Sequence, residues 1–109
     1  MSLDNESIKL HKKLKGKLEI KSKVKISNKK ILSLVYTPGV GAVSKAIAKD
    51  NILAKKYTIK HNTIAVISDG SAVLGLGNIG PLAALPVMEG KAALFKEFAN
   101  LNAFPICLN

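Results

Sequence analysis

The sequence predicts an α/β domain, with α+β as the alternative, in which helices surround a short sheet. Three observations carry that prediction. Two apolar runs, Thr63–Ser68 and Ala103–Leu108, have the length and composition of buried strands. Segments between and before them repeat their apolar residues at helical spacing. The first run feeds a glycine-rich loop and then a helical stretch, giving the order strand, loop, helix, strand from Ile64 onward.

The chain has 109 residues, enough for one small domain with a modest core, and its 48% apolar content is that of a globular protein. No continuous apolar stretch opens the sequence, so no secretory leader is expected. The span from Ile64 to Met88 contains four glycines, two prolines and Asp69, which argues against a membrane-crossing helix. Cys107 is the single cysteine and reads as a small buried hydrophobe; a cytoplasmic setting is expected. The net charge of +10 comes from 17 lysines and no arginine, and ten of the lysines fall in the first 30 residues. Nucleic acid favours arginine forks and interleaved aromatics, which this segment lacks, so a solvated lysine face is the better reading.

Taken in order, Asp4–Leu14 reads as a helix with Ile8, Leu10 and Leu14 as apolar marks and Gly16 as its stop. Residues 17–27 then alternate strictly: Leu18, Ile20, Val24 and Ile26 on one side, five charged residues on the other. That pattern predicts a half-buried, lysine-edged strand. Ser27 or Asn28 can cap a helix running to Leu34, and Pro38-Gly39 breaks the chain. Further helical pieces follow at Val40–Lys49 and Asn51–Lys56, and a later one at Val87–Asn100, after Pro81 and Pro86. His11 and His61 have no partner set at metal spacing and read as surface residues.

The loop Gly75-Leu-Gly77-Asn-Ile-Gly80 spells G-x-G-x-x-G, the pattern of dinucleotide-binding turns. Its context does not fit that use. The strand ends seven residues before Gly75, and no acidic residue stands at the end of a second strand about 20 residues on. The loop instead reads as a turn that brings backbone close to a substrate or a neighbouring domain. Lys91 lies among Gly90, Ala92 and Ala93, neighbours small enough to let another group approach closely. Partial desolvation there favours the neutral amine that a base needs. On the residues alone, a lysine whose amine reaches solvent from the helix edge, and a packing tyrosine at Tyr36, remain open alternatives.

Three motifs in fixed order change that balance: V-Y-T-P-G-V at Val35–Val40, S-D-G-S-A-V-L-G-L-G-N-I-G-P-L-A-A-L-P-V-M-E-G-K from Ser68 to Lys91, and A-F-P-I-C-L at Ala103–Leu108. Together they resemble the N-terminal domain of malic enzymes, in particular the compact bacterial branch, over nearly all of the chain from about His11. The resemblance implies oxidative decarboxylation of malate to pyruvate with NAD or NADP and a divalent metal, Mg or Mn. It places the family's acid–base tyrosine at Tyr36 and its lysine base at Lys91, with Ser71, Gly75 and Asn78 as candidate substrate contacts. Larger members carry an arginine just before the glycine loop that binds a malate carboxylate; this chain reads Ser71-Ala72-Val73 there.

The same resemblance implies that the metal carboxylates and the nucleotide-binding Rossmann domain follow residue 109, so that the 109 residues are the N-terminal portion of a larger enzyme, inactive alone. Its parts are an N-terminal helix at 1–15, the lysine-rich strand at 17–27 and the tyrosine- and lysine-bearing region at 28–109. A homo-oligomer is implied as well. The alternative is a lysine-rich interaction or assembly module without catalysis.

Overall fold

The chain combines a βαβ unit rich in glycine and alanine with a run of short lysine-bearing helices. The computed structural model describes residues 2–109. Two units are distinguished: the residues up to Glu19 together with Asn62–Asn109, and Ile20–His61.

In the first unit, α1 spans Leu3–Leu14. The Ser2 hydroxyl accepts the Asn5 N–H at 3.2 Å, Asp4 and Glu6 occupy the first turn, and His11, Lys12 and Lys13 the last. Acids at the start and bases at the end both suit the helix dipole. Lys15 closes the helix in a left-handed conformation.

The strand β1 covers Thr63–Ser68, as the apolar run predicts. It pairs in parallel with β2, Asn102–Cys107, in a register running from Thr63 opposite Asn102 to Ser68 opposite Cys107. Parallel neighbours need a crossover, and α5, Gly80–Ala99, supplies it and packs on the pair. On α5, Ala84, Met88 and Ala92 recur every fourth residue on one face and, with Val73 from the preceding loop, are the buried apolar residues.

This helix starts seven residues earlier than the expected Val87. Pro81 is accommodated at its first positions, where the missing N–H has no helical partner to lose. Pro86 lies inside the helix and removes only the bond to the Leu82 carbonyl, so the helix continues through it. At the other end Asn100 takes a left-handed conformation and donates its N–H to Lys96.

The second unit holds α2 (Lys29–Val35), α3 (Val40–Lys49) and α4 (Ala54–Tyr57). Where one helix is expected at Asn51–Lys56, a 3-10 turn at Asn51–Leu53 leads into α4, and a second 3-10 turn follows at Ile59–His61. Asn28 is the cap of α2, its Oδ1 accepting the Ile31 N–H at 2.9 Å. The segment Lys29–Lys49 is, by length and composition, apolar enough to cross a bilayer. It is split at Tyr36–Gly39 into helices of 7 and 10 residues, each short of the roughly 20 residues a span requires.

The strand expected at 17–27 does not form. Leu18–Ile26 has no ladder partner among the described residues, and its alternating apolar side chains are exposed, Ile20 at 83%. Alternation selects a face, but a strand also needs a neighbour whose N–H and C=O groups it can pair with.

Candidate active site

The loop between β1 and α5 is folded mainly by its own backbone. The Gly70 carbonyl accepts the N–H groups of Ile79, at 2.9 Å, and Gly80, at 3.2 Å, while Val73 donates to the Gly77 carbonyl at 2.9 Å. Gly70 adopts φ +74, and a Cβ there would overlap the Gly80 carbonyl, so no other residue fits. The glycine pattern therefore closes a loop onto itself. The chain begins α5 at Gly80 without the strand-to-helix turn of a dinucleotide site.

Ser71 and Asp69 form a compact turn at the start of this loop. The Ser71 hydroxyl and backbone N–H hold the Asp69 carboxyl below its usual range, the N–H bond measuring 2.9 Å. Gly75 and Asn78 are exposed on the same loop. A Cβ on Gly75 would meet no atom within 4 Å, so its own loop does not demand a glycine there, in contrast to Gly70. The structure thus gathers Ser71, Gly75 and Asn78 on one exposed loop.

Lys91 is exposed on α5, one residue before the buried Ala92. One residue is about 100° of helix rotation, so Lys91 points away from the sheet face that Ala92 buries. The small neighbours turn inward, and the desolvation expected around the amine is not supplied by this unit. Tyr36 belongs to the second unit and caps α2. Its N–H donates to the Leu32 carbonyl at 2.8 Å, its carbonyl accepts the Val40 N–H at 2.8 Å, and its phenol is 65% exposed. The backbone of Tyr36 is thus fixed by the α2–α3 turn while its hydroxyl remains available. Gly39 within that turn leaves no room for a side chain against Ser33 and Leu34.

A cavity of about 470 Å³ opens at the carboxyl end of β2 and the start of α5, lined by Ile79, Gly80, Pro81, Leu82, Cys107 and Asn109. In parallel α/β units ligands favour this end of the strands, but none of the sequence-derived candidates lines the cavity. Cys107, expected to be buried, is half-buried beside it. Among the described residues no cluster of three or more His, Cys, Asp or Glu could hold a metal ion.

Sequence reasoning missed one polar cluster, formed by His11, Lys17, Pro86 and Glu89. Its bonds join residues 69 and 72 positions apart, and no local pattern announces them.

A parallel βαβ unit with a self-closed glycine loop, an exposed lysine on the crossover helix and a cleft at the strand ends defines an α/β domain. The chain belongs to the malic enzyme N-terminal domain family, whose model matches residues 15–109. It is 61% identical to the bifunctional malic/malolactic enzyme of Bacillus subtilis over 109 residues, all of this chain and 27% of that protein. It is 63% identical to an NAD-dependent malic enzyme of Geobacillus stearothermophilus over 94 residues, 86% of this chain and 20% of the relative. Other relatives are named NADP-dependent malic enzymes. The crystal structure of the NAD-dependent malic enzyme of Thermotoga maritima superposes with a TM-score of 0.91 at 56% identity, covering 94% of this chain and 27% of that one. The chain therefore spans between 12% and 27% of the length of these curated relatives.

Proposed function

We propose that the chain is the N-terminal, acid–base-bearing portion of an enzyme that oxidises and decarboxylates malate to pyruvate with NAD or NADP. The observation that carries this reading is the family match across residues 15–109, which includes both Tyr36 and Lys91. Both side chains are exposed, so a substrate can reach each of them.

In this reading the neutral amine of Lys91 accepts the proton of the malate 2-hydroxyl as the C2 hydride leaves. After carbon dioxide is lost, the Tyr36 phenol delivers a proton to the methylene carbon of the enol, giving the pyruvate methyl group. Each group then exchanges its proton with solvent, the Lys91 ammonium losing one and the Tyr36 phenolate regaining one. Ser71, Gly75 and Asn78 offer a hydroxyl, an unobstructed backbone and an amide for orienting the substrate. Hydride acceptance belongs to a bound nicotinamide, and stabilisation of the enolate oxygen to a divalent ion such as Mg or Mn. The chain spans 27% and 20% of the length of two relatives, and in this reading both tasks fall to the remainder of the enzyme.

The test has two arms. The 109-residue chain mixed with malate, NAD or NADP and Mg or Mn is expected to produce no reduced cofactor; clear turnover sinks the view that further residues are required. In the full-length enzyme, Lys91→Ala and Tyr36→Phe are each expected to lower turnover by about 10²–10⁴-fold. Wild-type rates in both variants would remove the two residues from the chemistry. We also propose a cytoplasmic setting and a homo-oligomeric enzyme.

A further inference from the structure

We propose that Lys17 is a positioning residue that clasps α5 at the turn just before Lys91, and that the clasp closes only while His11 is neutral. The geometry begins with the imidazole. Its Nδ1 lies 2.8 Å from the Ser7 carbonyl oxygen, an atom that can only accept, so Nδ1 carries the proton. Nε2 lies 2.6 Å from the Lys17 ammonium, a group that can only donate, so Nε2 carries the lone pair. Both contacts together fit one species, the neutral Nδ1–H tautomer.

From that anchor Lys17 grips α5 twice. Its ammonium donates to the Pro86 carbonyl at 2.8 Å, and its backbone N–H donates to Glu89 Oε1 at 2.7 Å. The two acceptors are three residues apart, one turn of helix. This is also where α5 lacks a rung, since Pro86 has no N–H for the Leu82 carbonyl, so support from outside counts for more here than elsewhere along the helix. The Lys17 stem also passes within ordinary contact distance of the space above Gly90. Lys91 is the next residue.

Protonation of His11 puts a second N–H where the lone pair was, so two donors and two positive charges meet at the same short contact. The groups facing the imidazole are the Lys17 ammonium from the turn and the Glu89 carboxylate of α5, which lines the same cavity of about 200 Å³. Its own helix end adds Lys12, Lys13 and Lys15. α1 buries none of its residues, and His11 ties it to the Lys17 clasp. Closure of the clasp and a proton on Nε2 therefore exclude one another at this contact.

The consequence for catalysis rests on the reading of Lys91 above; the clasp itself does not. Amide hydrogen exchange, corrected for intrinsic rates, is measured on the 109-residue chain near pH 8 and near pH 5. In wild type, protection of α1 and of the Glu89–Ala92 amides is expected to fall about tenfold at the acid pH. His11→Gln keeps an acceptor for the ammonium but does not titrate, and is expected to hold its protection at both values. Lys17→Met is expected to lack it at both. Equal acid losses in wild type and His11→Gln overturn the proposal, as does a Lys17→Met pattern identical to wild type or an α1 already unprotected near pH 8. In the full-length enzyme, failure of the Lys91 reading shows separately: Lys91→Ala would retain activity while the exchange pattern of the clasp persisted.

Discussion

Replacing Gly70 with alanine would drive a methyl group into the Gly80 carbonyl, with the Gly80 Cα also only 2.9 Å from the new Cβ. Three costs add. The left-handed backbone at φ +74 costs alanine about 1–2 kcal/mol that glycine does not incur. Shifting a packed backbone to relieve the overlap costs about 1–3 kcal/mol. The Gly70 carbonyl also closes the loop by accepting from Ile79 and Gly80, and straining those two bonds loses about 1 kcal/mol more. The total is about 3–6 kcal/mol, a large part of the roughly 5–15 kcal/mol that holds a typical domain. For a chain of this size about 1 kcal/mol moves the midpoint by roughly 4–6 °C, so Gly70→Ala should lower Tm by about 15 °C or more, or prevent folding. Thermal unfolding followed by circular dichroism measures it, with Gly75→Ala as the matched control. A Cβ at Gly75 meets nothing within 4 Å, so that variant should stay within about 0.5 kcal/mol of wild type. Equal midpoints for the two alanine variants would refute the claim that the Gly70–Gly80 approach, rather than glycine content as such, shapes the loop.

Asn28→Ala removes the acceptor of the Ile31 N–H and should cost about 1 kcal/mol, read as faster amide exchange at the start of α2; unchanged exchange would deny Asn28 its capping role. Ser71→Ala removes the hydroxyl that helps hold Asp69 low, so the Asp69 carboxyl should titrate nearer its ordinary value in an NMR pH series. Because the folded carboxyl is depressed, its stabilising contribution is present above the unfolded value near 3.9 and fades as pH falls through the folded one. The wild-type advantage over Ser71→Ala should accordingly close in acid. Exposed Leu82 and Phe98, 86% and 84% accessible, should make the isolated chain self-associate with concentration in sedimentation experiments, and a monomer at all concentrations would contradict this.

Elements whose partners lie close in sequence, or whose apolar runs are long, were legible. Thr63–Ser68 and the start of α2 at Asn28 announce themselves through a β-rich run and a cap, and both stand where expected. α5 begins at Gly80 rather than Val87 because a proline one turn and a half into a helix costs a single bond and does not end it. The positions of Tyr36 and Lys91 in the chain are legible through long motifs, and the exposure of Lys91 is one of the two readings its neighbours leave open. Small flanking residues predict a close approach, but helix phase decides which of them faces inward, and here that is Ala92.

The segment from Leu18 to Ile26 shows why alternation and strand are separate statements. Alternation expresses a free-energy preference of side chains for one apolar side and one wet side, about 25 cal/mol for each Å² buried. A strand requires backbone partners as well, since each unpaired N–H and C=O that leaves water costs about as much as a lost hydrogen bond. β1 meets both conditions because β2 runs beside it in register from Thr63 to Ser68. The Leu18–Ile26 segment meets only the first among the described residues, and its backbone stays hydrated with Ile20 and Ile26 exposed. The same reasoning separates apolar content from core: the sequence is 48% apolar, yet among the described residues the buried hydrophobic side chains are those of Val73, Ala84, Met88 and Ala92. Hydrophobic composition measures how much surface seeks cover, and topology determines how much of it finds cover within these residues.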